Sequence, residues 1–240
     1  MDTKTKIIES SVGKMSITCL FLLLLGSAYA QHINVGYLRD VSVSATSTEA
    51  FDAKQKFKKV VLMLDLKDSN AGVNLRSSLI GTPGIPKVNV AILHQSGHFA
   101  SVHERNNNLH KFLKKGLADF EYLAQPATHK QTQIFRSLVA LIGSFEAQSD
   151  RTILIIESDF VESGSVAEFL KYKKNPAGLM SDFDKIITAF KADDNLPNLN
   201  GAEVILVTPG DSELAVWSAR WWEKAMKYFG AKKVSIQASF

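Results

Sequence analysis

An α/β fold with a mostly parallel central sheet, one antiparallel edge hairpin strand and helices on both faces is what this 240-residue sequence predicts. Three observations carry it. Short apolar runs without alternation recur at Val60–Leu64, Ile153–Ile156 and Val204–Val207, which is how strands covered on both faces read. Segments with helical spacing stand between them, and helices alternating with buried strands mean a covered parallel sheet. Two further runs flank Gln95-Ser96-Gly97, a short glycine-containing turn, and so form a hairpin that makes one strand antiparallel.

The chain opens with Lys4, Lys6 and Lys14, then the apolar stretch Ile17–Leu25, then Ala28-Tyr29-Ala30 before Gln31. A basic start, a short apolar middle and an A-x-A site are the layout of a secretory signal peptide. Residues 1–30 are therefore expected to be removed after Ala30 and the rest exported, to the periplasm or the extracellular space. The apolar stretch falls short of the about 20 residues a membrane span needs, so the mature chain is expected not to span a membrane. Cys19, the one cysteine, lies inside that stretch, which leaves the mature chain without a disulfide, a thiolate metal site or a cysteine nucleophile. The leader's three lysines against Asp2 and Glu9 make +1, so +3 of the formal +4 remains afterwards. That charge lacks the strong basic stripe of a nucleic-acid binder, and no nucleic-acid partner is expected.

Residues 31–51, rich in Ser, Thr and Val from Val41 to Thr48, read as an extended lead-in with edge-strand character, and residues 52–240 as one domain. Val60–Leu64 is the first buried strand and delivers Asp65. The turn cluster Lys67–Gly72 and a weak helical piece at Leu75–Ile80 follow, stopped by Gly81-Thr82-Pro83-Gly84. The hairpin pairs Val88–Leu93 with Phe99–His103. Leu109, Phe112, Leu113, Leu117, Phe120 and Leu123 recur at helical spacing, ending before Pro126, and Ile134–Ile142 forms a second helix. The strand Arg151–Glu157 comes next, then helices at Ser165–Tyr172 and Asp182–Phe190, a loop at Asn195–Gly201, and the strand Glu203–Thr208. Asp211 or Ser212 caps a long helix through Phe229, which Gly230 ends, and Val234–Ala238 is a last edge strand.

Ligands in open α/β sheets sit beyond the carboxyl ends of the strands, so Asp65 and Asp159 are the first candidates to share a crevice. Enzyme signatures are missing: there is no G-x-S-x-G elbow, no H-E-x-x-H and no phosphate-binding glycine loop, and no catalytic residue is assigned. His94, His98 and His103 lie around the hairpin turn without a further ligand of zinc spacing, which favours incidental polar residues. Trp217, Trp221 and Trp222 crowd one helix, where the bland reading is packing on the sheet and the functional one an aromatic partner surface. The lysine clusters at 54–59, 114–115 and 171–174 read as solvated faces.

From about Lys58 to Phe240 the pattern resembles the von Willebrand factor type A (vWA) domain. The likeness rests on a buried strand running into Asp65-Leu66-Lys67-Asp68-Ser69, the hairpin Val88–His103, Thr132 ahead of a helix, and the strand that ends in Ser158-Asp159. In that family a D-x-S-x-S loop, with a later threonine and aspartate, holds a divalent cation that a partner's carboxylate completes. Carried over by position, the resemblance implies Asp65, Ser69, Thr132 and Asp159 as ligands of Mg2+ or another divalent cation, with Thr128 as the alternative to Thr132. The chain departs from the pattern at Lys67, in place of the middle serine, and at Phe160, in place of the glycine after the second aspartate. An ammonium is no ligand for magnesium. Lys67 therefore either fills the ion's place and pairs Asp65 or Asp159, leaving a degenerate site without a cofactor, or turns to solvent and leaves a weak one. The resemblance implies an exported vWA-like binding protein. It would mediate protein–protein interaction or envelope assembly through a crevice formed by Asp65, Lys67, Ser69, Thr132 and Asp159. The alternative is a secreted hydrolase using acidic residues of the same crevice.

Overall fold

The computed structural model describes residues 31–42, 51–64, 66, 70–81, 86–96, 101–126, 131–146, 148–209 and 211–240. The expected leader, Asp65, Lys67, Ser69 and Thr128 lie outside the described residues. Six strands form one sheet in the order β3-β2-β1-β4-β5-β6. All neighbours run parallel except β3, which runs antiparallel on the outer side of β2. This is the mostly parallel α/β architecture with one antiparallel edge strand that the sequence predicts.

The centre of the sheet is β1, His32–Asp40, which lies between β2 and β4. Residues 31–51 were expected as a lead-in to a domain beginning at residue 52, which β1 corrects. Ile33, Val35 and Tyr37 enter one core, and Leu38 the other. Gly36 faces that second core at very close quarters: a Cβ there would stand 2.7 Å from Leu141 and 2.9 Å from Leu154. Asn34, Gly36 and Arg39 interrupt the apolar run, which is why the segment does not announce itself as a buried strand.

Val60–Leu64, expected as the first buried strand, is helical. It is the last part of α1, Ala53–Leu64, and not a strand. Phe57, Val60 and Leu64 are buried at helical spacing, while Leu62 is 68% exposed. Asp52 starts the helix by accepting the Gln55 N–H at 2.9 Å. α1 returns the chain to the amino end of the sheet, where Gly72 opens β2 in register with His32. The segment around Asp65 therefore joins a helix to the amino end of a strand. The premise that a strand delivers Asp65 to the crevice does not hold.

β2, Gly72–Ile80, takes in the stretch expected as a weak helix, and only Arg76 of its nine residues is not buried. β3, Asn89–Leu93, pairs back onto β2, with Val73 opposite Leu93 and Ser77 opposite Asn89. The expected partner Phe99–His103 does not form a strand over its described residues. Ser101 caps α2, Val102–Leu123, by accepting the Glu104 N–H, so Val102 and His103 are helical. α3, Ile134–Gly143, and β4, Arg151–Glu157, follow as expected. Ser165–Tyr172 contributes only a 3-10 turn at Phe169–Tyr172; the short α4, Gly178–Ser181, and then α5, Phe183–Asp193, complete that face. β5 is Glu203–Val207, α6 is Glu213–Tyr228 and β6 is Lys233–Gln237. Ser212 caps α6 through the Ala215 N–H, and Gly230 ends the turn after it at φ +100°.

Two apolar cores flank the sheet. Phe57, Phe112 and Phe120 from α1 and α2 pack on one face. On the other, Phe135 stacks on Phe190 at 4.1 Å, and Trp221 and Trp222 are fully buried among them. These two tryptophans pack a helix against the sheet and present no aromatic surface. Among the described residues no helix is long and apolar enough to cross a membrane.

Candidate functional site

The parallel strands β1 and β4 end side by side, and each delivers an aspartate. Asp40 ends β1; Ser158 and Asp159 follow β4. Asp40 is nearly inaccessible, with one carboxylate oxygen accepting the Ser158 hydroxyl at 2.6 Å and the other the Ser42 N–H at 2.8 Å. Ser158 Oγ also accepts the Phe160 N–H at 2.9 Å, and Asp159 Oδ1 accepts the Val161 N–H at 3.0 Å. Burial pushes the Asp40 carboxyl up to about 6, against the pull of hydrogen bonds from the Ser158 hydroxyl and from the backbone and side chain of Ser42, and the negative charge of Asp159 adds to the rise.

The loop after β4 is folded tightly. Phe160, fully buried, holds φ at +62°. That left-handed backbone ordinarily favours glycine; here a phenylalanine adopts it, with the phenyl ring placed in the core. Thr132 is buried, and its backbone pairs with Ser163 in both directions, at 3.2 and 2.8 Å. Glu162 is wholly buried and accepts the N–H groups of Ile134 at 2.9 Å and Phe135 at 3.3 Å, which caps α3. Burial drives its carboxyl up to about 8; those two bonds and Arg136 oppose the rise, and Asp40 adds to it.

Of the residues expected from the sequence, Asp159 stands at this strand end, and Thr132 is tied through Ser163 to the loop that follows it. Asp65, Lys67 and Ser69 fall outside the described residues, on a connection whose described flanks, Leu64 and Asn70–Gly72, lead to the amino end of β2. The aspartate that faces Asp159 is instead Asp40, at the end of a strand whose own sequence pattern is weak. Its signal was available: Asp40-Val41-Ser42-Val43-Ser44 has the full D-x-S-x-S spacing, with both serines in place. Ser44 lies outside the described residues.

Asp40, Asp159, Ser42, Ser158 and Thr132 carry only oxygen donors in their side chains, the kind a hard divalent cation takes. Two buried carboxylates whose charges repel also gain from a cation between them. This donor set fits Mg2+ or Mn2+. Among the described residues no three His, Cys, Asp or Glu side chains gather as a metal site, and His94 and His103 are exposed. The remaining acidic neighbour, Glu157, is engaged by the Tyr37 hydroxyl at 2.5 Å and by Lys56 at 3.1 Å.

Neither a protein-family model nor a curated protein sequence matches this chain. Among solved structures it is similar to a mutant of the PilB minor pilin from Streptococcus sanguinis. The TM-score is 0.51 at 12% identity, covering 88% of this chain and 58% of the pilin. Human COPII-coat protein Sec24c is a more distant likeness, with a TM-score of 0.42 at 13% identity over 88% of this chain and 30% of that one. The chain thus spans a little over half the length of the pilin it matches. At such identity the likeness concerns the fold.

Proposed function

We propose that the chain is an exported, vWA-like binding protein that captures a protein partner through a divalent cation at the carboxyl ends of β1 and β4. Asp40, Ser42, Thr132 and Asp159 would hold the ion, with Ser44 completing the loop by its sequence spacing. The observation that carries this reading is the pairing of Asp40 with Ser158-Asp159 at the end of two adjacent parallel strands. The cation would supply concentrated positive charge to which a partner's carboxylate coordinates. The residues of the chain fix the loop geometry and shield the charge from water. The degenerate site expected from Lys67 is not part of this reading, because the D-x-S-x-S spacing at Asp40 has serine where that loop has lysine. The hydrolase alternative has less support: Glu157 is bound by Tyr37 and Lys56, and Glu162 caps a helix.

The test is thermal unfolding of Gln31–Phe240 with Mg2+ or Mn2+ and with chelator, for the unmodified chain and for Asp40→Ala, Asp159→Ala and Asp65→Ala. Cation at about 100 times its dissociation constant adds about 2.7 kcal/mol, a rise in Tm on the order of 5–10 °C. Asp40→Ala and Asp159→Ala should each abolish the rise, and Asp65→Ala should leave it intact. A rise lost only with Asp65, or no rise in the unmodified chain, overturns the reading.

A further inference from the structure

α3 begins without a local cap. Gln133, at the cap position, makes no side-chain bond to the first turn. A serine, threonine or aspartate there would satisfy the orphan N–H groups while staying close to solvent. Glu162, 28 residues farther along, does this instead with a carboxylate that is only 3% exposed. Burying a carboxyl group costs more than placing a surface cap, and this cap does what a local one cannot. What it supplies is a tie between two segments of the crevice. Thr132 stands two residues before Ile134, and Asp159 three residues before Glu162. The Thr132–Ser163 backbone pair closes the same junction from the other side. The tie is anchored at its own base as well: the Glu162 N–H donates to the Phe160 carbonyl at 3.1 Å, and the Glu162 carbonyl accepts the Phe169 N–H at 2.8 Å.

We propose that Glu162 is a positioning residue for the cation site, its buried side chain clasping the start of α3 to the loop after β4 so that Thr132 is held in place beside Asp159. This inference rests on the cation-binding reading above. Residues that orient metal ligands without touching the metal typically change affinity by about 10–100-fold when removed.

The experiment compares Mn2+ affinity, by calorimetric titration, in the unmodified chain and in Glu162→Ala, Glu162→Gln and Ser212→Ala. Ser212 caps α6, which carries no residue of the crevice, so its loss reports destabilisation alone. Glu162→Ala should weaken Mn2+ binding about tenfold or more. Glu162→Gln keeps an oxygen for both N–H groups and should recover most of the affinity, and Ser212→Ala should bind as the unmodified chain does. Unchanged affinity in Glu162→Ala, or an equal loss in Ser212→Ala, overturns the proposal. Should Glu162→Ala not fold, Glu162→Asp, one methylene shorter, is expected to lose affinity in its place, and full affinity there counts against the clasp. Amide hydrogen exchange at Thr132 and Ser163 separates the two ideas. If the unmodified chain binds no Mn2+, the cation reading fails. Faster exchange at both amides in Glu162→Ala, absent from Ser212→Ala, still supports the clasp, and unchanged exchange refutes it.

Discussion

The junction of β1 with β4 and the side of the sheet made by β1, β2 and β3 treat buried polar groups in opposite ways. At the carboxyl end Asp40, Ser158, Asp159 and Glu162 are buried and each is hydrogen-bonded, although two of them are carboxylates raised by burial. Across β1, β2 and β3, Asn34 Oδ1, both amide atoms of Asn74, Arg76 Nε, Ser77 Oγ and Asn89 Nδ2 are buried without a hydrogen-bond partner. Asn34 and Asn74 stand opposite one another in the β1–β2 register. A cleft of about 410 Å³ lined in part by Asn34, Glu146 and Asp150 opens beside them. Hydrogen-bonded polar burial is concentrated at the junction of β1 with β4. Polar burial is fully bonded where charges must be held close together, and unbonded where the strands merely cross the core.

Breaking the bonded junction should have the largest effect. Ser158→Ala removes the donor to Asp40 and the acceptor for the Phe160 N–H, both buried. A loss of about 3 kcal/mol is expected in urea unfolding, and a loss below about 1 kcal/mol would mean that these bonds contribute little. The pH dependence comes next. Asp40 and Glu162 rise from 3.8 and 4.5 when unfolded to about 6 and about 8 when folded. Both groups then bind protons more tightly in the folded chain, so their favourable contribution is complete below about pH 4. It is lost as pH rises through 6 and then 8. Without cation, Tm should therefore fall between pH 5 and pH 9 by something on the order of 5 °C, and Asp40→Asn should remove the lower part of the fall. A Tm that climbs over this range contradicts the assignment. The unbonded side should respond with the opposite sign and least strongly. Asn74→Leu exchanges two unsatisfied amide atoms for an apolar side chain of similar shape, and should stabilise the chain by about 1 kcal/mol without altering any cation response. Destabilisation by Asn74→Leu would mean that the amide has partners after all.

The layered α/β architecture was legible because β3, β4 and β5 carry strong local signals, although β3 pairs with β2 and not with the hairpin partner expected for it. The centre of the sheet was not. Five apolar residues at Val60–Leu64 suit a buried strand as well as a helix, and periodicity over so few positions cannot separate them. Extending the window to Phe57 brings out the helical spacing that the structure follows. Conversely, β1 contains Asn34, Gly36 and Arg39, none of them a strand signal, and is a strand because of its neighbours on both sides. That exchange moved the expected loop from Asp40 to Asp65. Thr132 and Asp159 stayed in view because each adjoins an element whose pattern is unambiguous. The positive φ of Phe160 was not visible in the sequence: a backbone that favours glycine is held there by a phenylalanine whose ring is buried in the core.

The pairing of β1 with β4 also sets when the crevice can exist. Asp40 and Ser158 are 118 residues apart, and almost everything between them must be made before the two can meet. Contacts of such separation form late, because the chain must close a long loop before any bond rewards it. No fragment ending before β4 holds both aspartates, so the crevice is an end point of folding and has no local precursor.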